Sequence, residues 1–213
     1  MSEQHLAVVV LAAGAGTRMK STKPKVMHEI AGLPLLGHAL ATASSLGAAH
    51  VVPVIRHQRD LIANYIETYF PQATIADQDE IPGTGRAVEC ALNALPADFN
   101  GAVVVTSGDV PLLDVATLES LIDAHLAGGF SATILTSIAE DPAGYGRIIR
   151  SNDGKFIAII EDRDADAEQL EINEVNAGVY VFDAGLLRNA LTKIGSHNAQ
   201  GEKYLTDAAA ELI

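Results

Sequence analysis

Strands and helices alternate over the first 129 residues, and this order constrains the fold more strongly than any other feature of the sequence. Leu6–Leu11 (LAVVVL) is a β-branched run without polar alternation, which is typical of a strand buried on both faces. Further strands are predicted at 51–55, 73–76 and 102–106, and helices at 34–47, 61–69, 84–95 and 118–125. The alternation predicts a doubly wound, mostly parallel, Rossmann-like α/β sheet with helices on both faces.

After Gly129 the pattern changes to that of a mixed sheet. A strand is predicted at 131–138, and the strands 146–150 and 155–161 flank Asn152-Asp153-Gly154, a hairpin signature. An acidic stretch at 162–171 is interpreted as a mobile surface segment, before a strand at 174–182 and helices at 186–194 and 203–212. We expect a single domain over 1–213, with halves 1–129 and 130–213, and ligands bound at the carboxyl ends of the strands.

The charge balance excludes several classes of partner. Lysine and arginine total 14 against 27 aspartate and glutamate, a formal net charge of −13. A nucleic-acid or anionic-membrane surface needs clustered positive charge, so neither partner is expected. The one cysteine, Cys90, excludes an internal disulfide and is interpreted as a core residue. No secretory signal precedes the first strand, so a cytoplasmic location is expected.

The loop after the first strand has the chemistry of a phosphate site. Gly14-Ala15-Gly16-Thr17-Arg18-Met19 lacks the third glycine of a dinucleotide fingerprint and the Gly-Lys-Ser/Thr of a P-loop. It offers backbone N–H groups, the Arg18 fork, and Lys23 and Lys25 close by. The alternative is an ordinary strand-to-helix turn with solvated basic residues.

This loop resembles the signature of nucleoside-diphosphate-sugar pyrophosphorylases. The similarity continues in order along nearly the whole chain and is greatest to the uridyltransferase half of the bacterial bifunctional N-acetylglucosamine-1-phosphate uridyltransferase/glucosamine-1-phosphate acetyltransferase. The matching blocks are 11–19, Pro24-Lys25, Gln78, Gly83-Thr84-Gly85, Gly108-Asp109-Val110-Pro111, Gly144-Tyr145-Gly146-Arg147, Glu161, Asn176-Ala177-Gly178, and the run from Gln200 to Asp207.

The resemblance implies a nucleotide-diphospho-sugar transferase fold and a Mg²⁺-dependent reaction. UTP and N-acetylglucosamine 1-phosphate would give UDP-N-acetylglucosamine and pyrophosphate, with 1–129 binding the nucleotide and 130–213 the sugar. In the family, an Asn that is the second metal ligand and a left-handed β-helix acetyltransferase domain that makes the trimer lie beyond the position of Ile213. We therefore expect this stretch of chain to be monomeric and its metal site to rest on one protein carboxylate.

The nucleotide residues follow from the matching blocks. Arg18 is expected to hold the leaving pyrophosphate and Lys25 the α-phosphate, so both are candidate catalytic residues. A glutamine amide can both donate to and accept from uracil, and a glycine lets the backbone approach the ring. The expected base-binding residues are Leu11, Ala12, Ala13, Gly14, Gln78, Gly83 and Thr84. Alternatively, Gln78 is a surface residue and Gly83-Thr84 only begins a helix.

Asp109 is the predicted Mg²⁺ ligand. A carboxylate after a buried strand suits a hard cation that otherwise binds phosphates and water. The alternative is helix N-capping or turn formation, although Asp114 lies closer to the predicted helix start. Gly108 is expected to bind substrate through its backbone. Ser107 stands where the family has an aromatic residue, so only its backbone contact is expected to carry over.

Gly146, Glu161 and Asn176 match the residues that hold the N-acetylglucosamine group in the family. A polar side chain within an apolar strand needs a partner or faces a site, so a satisfied structural Asn or a solvent-facing Glu is the alternative. Two further functions stay open: uridylyl transfer to another hexose 1-phosphate such as glucose 1-phosphate, and a non-catalytic nucleotide-sugar-binding module.

Overall fold

The protein was analysed as a computed structural model, which describes residues 6–16 and 19–212. The strands are β1 (Leu6–Leu11), β2 (Glu29–Ile30), β3 (Leu33–Pro34), β4 (His50–Ile55), β5 (Ala76–Asp77), β6 (Ala102–Ser107), β7 (Ala132–Ile138), β8 (Arg147–Arg150), β9 (Phe156–Ile160) and β10 (Glu174–Asp183). The helices are α1 (Leu35–Ser45), α2 (Arg59–Tyr69), α3 (Thr84–Ala94), α4 (Val115–Gly128), α5 (Ala167–Leu170), α6 (Ala184–Lys193) and α7 (Leu205–Ala210), with a 3-10 turn at Lys25–Met27.

One mixed sheet organises the molecule. Strands β5, β4, β1 and β6 lie side by side and are parallel, with β1 between β4 and β6. Strand β10 then pairs antiparallel with β6, and β8 and β9 extend the sheet beyond it. Strand β7 lies antiparallel along the other edge of β10. The predicted parallel N-terminal half and mixed C-terminal half are both confirmed.

The absence of alternation in β1 has a direct structural cause. Ala7 and Val9 face one layer, which contains α3, α6 and α7, while Val8 and Val10 face the other, which contains α1, α2 and α4. All four side chains are fully buried. Helices therefore cover both faces of the sheet, and loops lie at the carboxyl ends of the parallel strands.

Four details differ from the expectations. Strand β5 is confined to Ala76–Asp77, because the preceding residues form a turn in which Ala73 N–H donates to Phe70 O at 2.9 Å. The helical spacing of Leu61, Ile62, Tyr65, Ile66 and Tyr69 predicts one apolar face for α2, but Tyr69 is exposed at 67% because Ile62 and Ile66 already fill the inner face. Cys90 is half-buried rather than in the core. The 162–171 segment lies mostly at the surface, but Asp166 and Gln169 form a capping box for α5, which composition did not predict.

Within 6–16 and 19–212, no helix has the length and apolar character required to cross a membrane.

Candidate active site

A cleft of about 560 Å³ lies at the carboxyl ends of the four parallel strands. Each strand contributes the residues that directly follow it, and the 3-10 turn, the start of α3 and the loop between α6 and α7 complete the wall. This is where open α/β sheets bind ligands. The lining includes Leu11, Ala12, Ala13, Gly14, Gly16, Lys25, Arg56, His57, Gln78, Gly83, Thr84, Ser107, Asp109 and Glu202.

The loop after β1 is fixed by backbone hydrogen bonds on both sides. Ala12 N–H donates to Val54 O and Gly108 N–H donates to Leu11 O, both at 2.8 Å. Gly108 therefore lies behind the loop and supports it, whereas Ser107 and Asp109 line the cleft. Gly16 has φ +61°, and a Cβ there would lie 2.7 Å from Lys25 Cβ. The glycine thus permits the close approach of the turn that carries Lys25.

Lys25 and Asp109 form an ion pair within the cleft, between Nζ and Oδ2. The Lys25 side chain is 44% exposed and that of Asp109 is 24% exposed, so both charges can reach a ligand. The capping alternative for Asp109 is wrong, because Asp114 caps α4 by accepting from Thr117 N–H at 2.7 Å.

The donor set of the cleft fits a cation that takes few protein ligands. In the described ranges, no three His, Cys, Asp or Glu side chains gather into a preformed metal site. Asp109 offers a hard carboxylate oxygen in a cleft large enough for phosphates and water. Mg²⁺ is bound in nucleotide sites by one or two carboxylates together with phosphates and retained waters, so the residues present are compatible with it.

The opposite wall is formed by Gln78, Gly83 and Thr84. The Gln78 backbone N–H donates to Ile55 O at 2.9 Å, and its side-chain Nε2 donates to Gly83 O at 3.2 Å. The side-chain amide of Gln78 therefore holds the backbone of the wall in place, and Gln78 also lines the cleft. The Thr84 hydroxyl accepts from Leu205 N–H at 3.0 Å, which ties the wall to the start of α7.

Gly83 is required by the chain itself. Its φ is +115°, and a Cβ there would lie 2.2 Å from Lys203 O and 2.4 Å from Lys203 N. Lys203 N–H donates to Pro82 O at 3.0 Å, and Gly85 N–H donates to Lys203 O at 2.8 Å. The loop between α6 and α7, residues 194–204, thus passes directly against the wall of the cleft.

A chain of ion pairs holds this loop in place. Lys203 Nζ lies 2.5 Å from Glu89 Oε1, and the two side chains are 15% and 18% exposed. Arg86 pairs with Glu89 at 2.9 Å and with Asp79 at 2.5 Å. Hydrogen bonding from Arg86 lowers the pKa of Asp79, so the carboxylate is charged at neutral pH.

Gly146, Glu161 and Asn176 form a second cluster, at β8, β9 and β10. Asn176 N–H donates to Gly146 O at 2.9 Å. A Cβ on Gly146 would lie 2.9 Å from Ile159 Cγ2 and 3.6 Å from Glu161 Oε2. The structure therefore brings these three residues together, but they do not line the 560 Å³ cleft.

The polar groups of this cluster have protein partners. Asn176 Nδ2 donates to the Tyr180 hydroxyl at 2.6 Å, and its Oδ1 accepts from Gly178 N–H at 3.0 Å. Glu161 accepts from the Thr206 hydroxyl at 3.1 Å. Burial raises the pKa of Glu161, the Thr206 hydrogen bond opposes the shift, and nearby Asp207 adds to it. The pKa of Glu161 therefore lies above that of an ordinary glutamate, because the side chain is buried and has acidic neighbours.

Ten of the predicted substrate residues line the cleft, Gly108 supports it, and Gly146, Glu161 and Asn176 lie in the second cluster. Their roles stay predictions. Arg18 lies outside the described residues. The sequence interpretation missed Arg56, His57 and Glu202. Arg56 and His57 directly follow β4, so the rule that ligands bind at carboxyl ends of strands could have identified them.

By fold, the molecule is a Rossmann-like α/β protein of the nucleotide-diphospho-sugar transferase type. A UDP-glucose pyrophosphorylase solved in complex with UDP-glucose superposes with a TM-score of 0.79 at 17% identity, covering 97% of this chain and 86% of that one. A 4-diphosphocytidyl-2C-methyl-D-erythritol synthase from Anaerococcus prevotii superposes with a TM-score of 0.62 at 19% identity, over 90% and 75% of the two chains.

The chain belongs to the family of the MobA-like NTP transferase domain, which matches residues 8–167. It is 62% identical over 204 residues to a protein named Bifunctional protein GlmU from Clavibacter sepedonicus, which covers 96% of this chain and 41% of that protein. The protein of the same name from Leifsonia xyli is 56% identical, over 100% and 44%. The chain thus spans less than half the length of these relatives. The matches confirm the resemblance seen in the motifs.

Proposed function

We propose that the chain catalyses uridylyl transfer from UTP to N-acetylglucosamine 1-phosphate, giving UDP-N-acetylglucosamine and pyrophosphate. The observation that carries the proposal is the Lys25–Asp109 pair, which lies in a strand-end cleft opposite the wall of Gln78, Gly83 and Thr84. At one side, a lysine suits the triphosphate and a carboxylate suits the metal ion that accompanies it, and the amide-bearing wall at the other side suits a base.

In the proposed reaction, a phosphate oxygen of the sugar phosphate attacks the α-phosphorus of UTP. A new oxygen–phosphorus bond forms, and the bond between the α-phosphorus and the bridging oxygen to the β-phosphate breaks in line, so that pyrophosphate leaves with the electron pair. No covalent intermediate with the protein is needed. The work of the protein is therefore positioning and charge stabilisation rather than acid–base chemistry.

Lys25 places its ammonium group within the cleft, where it neutralises negative charge that accumulates on the α-phosphate. The glycine turn supplies backbone N–H groups beside it, and Arg18 is proposed to hold the leaving pyrophosphate. The pair with Asp109 orients the Lys25 ammonium group within the cleft, and at 44% exposure the side chain is accessible to a phosphate.

Asp109 is the residue proposed to hold Mg²⁺. When bound, the ion would supply positive charge that neutralises the phosphates. Asp109 contributes one oxygen donor and keeps a partly exposed carboxylate next to Lys25. This arrangement supports metal dependence, and Mg²⁺ is the preferred candidate because it tolerates a mostly phosphate and water coordination shell.

The second cluster is proposed to bind the N-acetylglucosamine group, with 1–129 serving the nucleotide and 130–213 the sugar. Glu161 and the Asn176 backbone lie around Gly146, whose missing side chain leaves room beside the Glu161 carboxylate. We also propose that this chain is monomeric. We propose a cytoplasmic location as well, and the single cysteine supports that location because it fits a reducing compartment.

The test is a pyrophosphate-release assay with the purified chain, in which each nucleoside triphosphate is paired with each sugar phosphate. We expect release with UTP and N-acetylglucosamine 1-phosphate, dependent on Mg²⁺, and at least tenfold slower release with glucose 1-phosphate, the change expected from roughly 1.4 kcal/mol of lost contact. Faster release with CTP or dTTP would contradict the uridine assignment. Binding of UDP-N-acetylglucosamine without any turnover would favour a binding module.

The variant Lys25→Gln directly tests whether the Lys25–Asp109 ion pair in the cleft is needed for the reaction. We expect the variant to lower kcat by roughly a hundredfold, since one lost charge contact in a closed site costs about 3 kcal/mol. Lys23→Gln is the matched control, because Lys23 is a neighbouring exposed lysine paired with Glu29 at 3.0 Å. Equal losses in the two variants would show that general positive charge, not the ion pair in the cleft, matters.

A further inference from the structure

Within residues 6–16 and 19–212, Arg147 is the largest of the fully buried side chains, at 2% exposure. Its Nη1 pairs with Asp162 Oδ1 at 3.2 Å and donates to Tyr145 O. Its Nε has no hydrogen-bond partner within the described part of the chain. A buried guanidinium that has an unsatisfied donor, and whose partner Asp162 is 34% exposed, rarely contributes more stability than an apolar residue of similar volume. The arginine is therefore not explained by folding stability alone.

The arginine and its partner close a loop. Asp162 Oδ1 accepts from Gly144 N–H at 3.0 Å as well as from Arg147. One carboxylate oxygen thus joins the two ends of the 144–147 loop, and the loop contains Gly146. The Gly144 N–H and the Arg147 guanidinium together lower the pKa of Asp162, so the carboxylate is ionised at neutral pH.

The same pair lies next to two candidate sugar residues, at the point where the ladder between β8 and β9 ends with Arg147 opposite Ile160. Asp162 directly follows Glu161 at the end of β9, and Gly146 directly precedes Arg147 at the start of β8. Gly146 approaches Ile159 and the Glu161 carboxylate so closely that a Cβ would lie 2.9 Å and 3.6 Å from their nearest atoms. A shift of about 1 Å in the loop would change this geometry, and binding sites are sensitive to such shifts.

We propose that Arg147 and Asp162 are positioning residues for the sugar subsite, holding the 144–147 loop against Glu161. The inference rests on the proposed function, because it assumes that Gly146 and Glu161 contact the sugar. It predicts that loss of the pair weakens recognition of the sugar and leaves recognition of uridine diphosphate unchanged.

Three variants separate the parts of the pair. Asp162→Ala removes both acceptor contacts, whereas Asp162→Asn keeps an Oδ1 that can accept from Gly144 and Arg147. Arg147→Met removes the guanidinium and keeps an apolar stem of similar length. Arg150→Met is the matched control, because Arg150 also lies on β8 and also binds one carboxylate, Glu174 at 2.7 Å, and one carbonyl, Gly154 O at 3.0 Å.

Calorimetry with UDP and with UDP-N-acetylglucosamine measures the affinity gained from the sugar as a ratio of two Kd values. In Asp162→Ala and Arg147→Met, we expect this ratio to fall by about tenfold, the effect of one lost charge-assisted contact. The Kd for UDP should stay within about twofold, and Asp162→Asn and Arg150→Met should resemble the wild type. Equal weakening of both ligands, or an unchanged ratio, would overturn the proposal.

Hydrogen exchange keeps the inference separate from the proposed function. The amide of Gly144, which donates to Asp162, and that of Asn176, which donates to Gly146 O, should exchange faster in Asp162→Ala and Arg147→Met than in the wild type, with the rest of the sheet unchanged. Unchanged protection of these amides would overturn the positioning role whatever the ligand does. A wild-type chain that binds UDP and UDP-N-acetylglucosamine equally would instead contradict the proposed function.

Discussion

Replacement of Gly83 by alanine should separate the cost of backbone strain from the cost of a collision. At φ +115° a side chain is strained by about 1–3 kcal/mol wherever it occurs. At Gly83 the new Cβ would also lie 2.2 Å from Lys203 O, so the backbone of residues 194–204 must move. Overpacking of this kind costs about 1–3 kcal/mol more.

We therefore expect Gly83→Ala to lose about 3 kcal/mol of unfolding free energy. For a domain of this length, each kcal/mol corresponds to roughly 2–4 °C, so Tm should fall by about 6–12 °C. Gly154→Ala is the control, since Gly154 has φ +80° with no atom within 4 Å of the added Cβ. It should lose only the strain, about 1 kcal/mol and roughly 2–4 °C.

Thermal unfolding followed by circular dichroism, together with KM for UTP, measures both consequences. Gly83→Ala should also raise KM for UTP, because displacement of the Lys203 backbone disturbs the neighbouring Thr84, whose hydroxyl binds Leu205 N–H. A fall in Tm no larger than that of Gly154→Ala would refute the argument that the loop needs a glycine at this point.

Asp109→Asn should lower turnover at saturating UTP by roughly a hundredfold in an Mg²⁺ titration, since it removes a charged oxygen donor. The control Asp114→Asn keeps a helix cap and should leave turnover unchanged. His125 is 4% exposed and burial lowers its pKa, so the unfolded chain takes up a proton that the folded chain does not. Folding stability should therefore fall as the pH drops below the ordinary histidine pKa near 6.5. The fall between pH 7.5 and 5.5 should be at most about 1.4 kcal/mol. Denaturant titrations should show a smaller fall in His125→Gln than in the wild type. Lys203→Met breaks the pair with Glu89 and should raise KM for UTP about fivefold, the effect of roughly 1 kcal/mol, with kcat unchanged in steady-state assays.

The alternation of strands and helices in the N-terminal half, and its parallel sheet, could be predicted because local sequence and global position agree there. Val8 and Val9 are both buried since helices cover both faces, and a run of β-branched residues is the only local pattern that this position allows. The short β5 could not be predicted in its bounds, because a pair of ladder contacts to Val54 and Ile55 depends on a neighbouring strand rather than on its own residues.

The part of the candidate site that is formed by loops close behind the strands could be predicted from the sequence. Lys25, Gln78 and Asp109 belong to segments whose motifs were recognised, and they line one cleft. Glu202 was missed as a lining residue because its position depends on a loop that returns from the far end of the chain. The structural requirement for a glycine at position 83 could not be predicted in full, since nothing in the local sequence indicates that Lys203 packs against it.

The return of the 194–204 loop to Gly83 and Thr84 has a consequence for biosynthesis. Thr84 and Leu205, which are hydrogen-bonded, are separated by 121 positions. At a translation rate of about 5–20 residues per second, roughly 6 to 24 s pass between the synthesis of the two halves of this contact. During that interval, the face of α3 that carries Val88, Ala91 and Leu92 lacks its cover from α6 and α7. The nascent chain therefore leaves apolar side chains of α3 without this cover until α6 and α7 have been made, and the wall of Gln78, Gly83 and Thr84 is completed only late in synthesis.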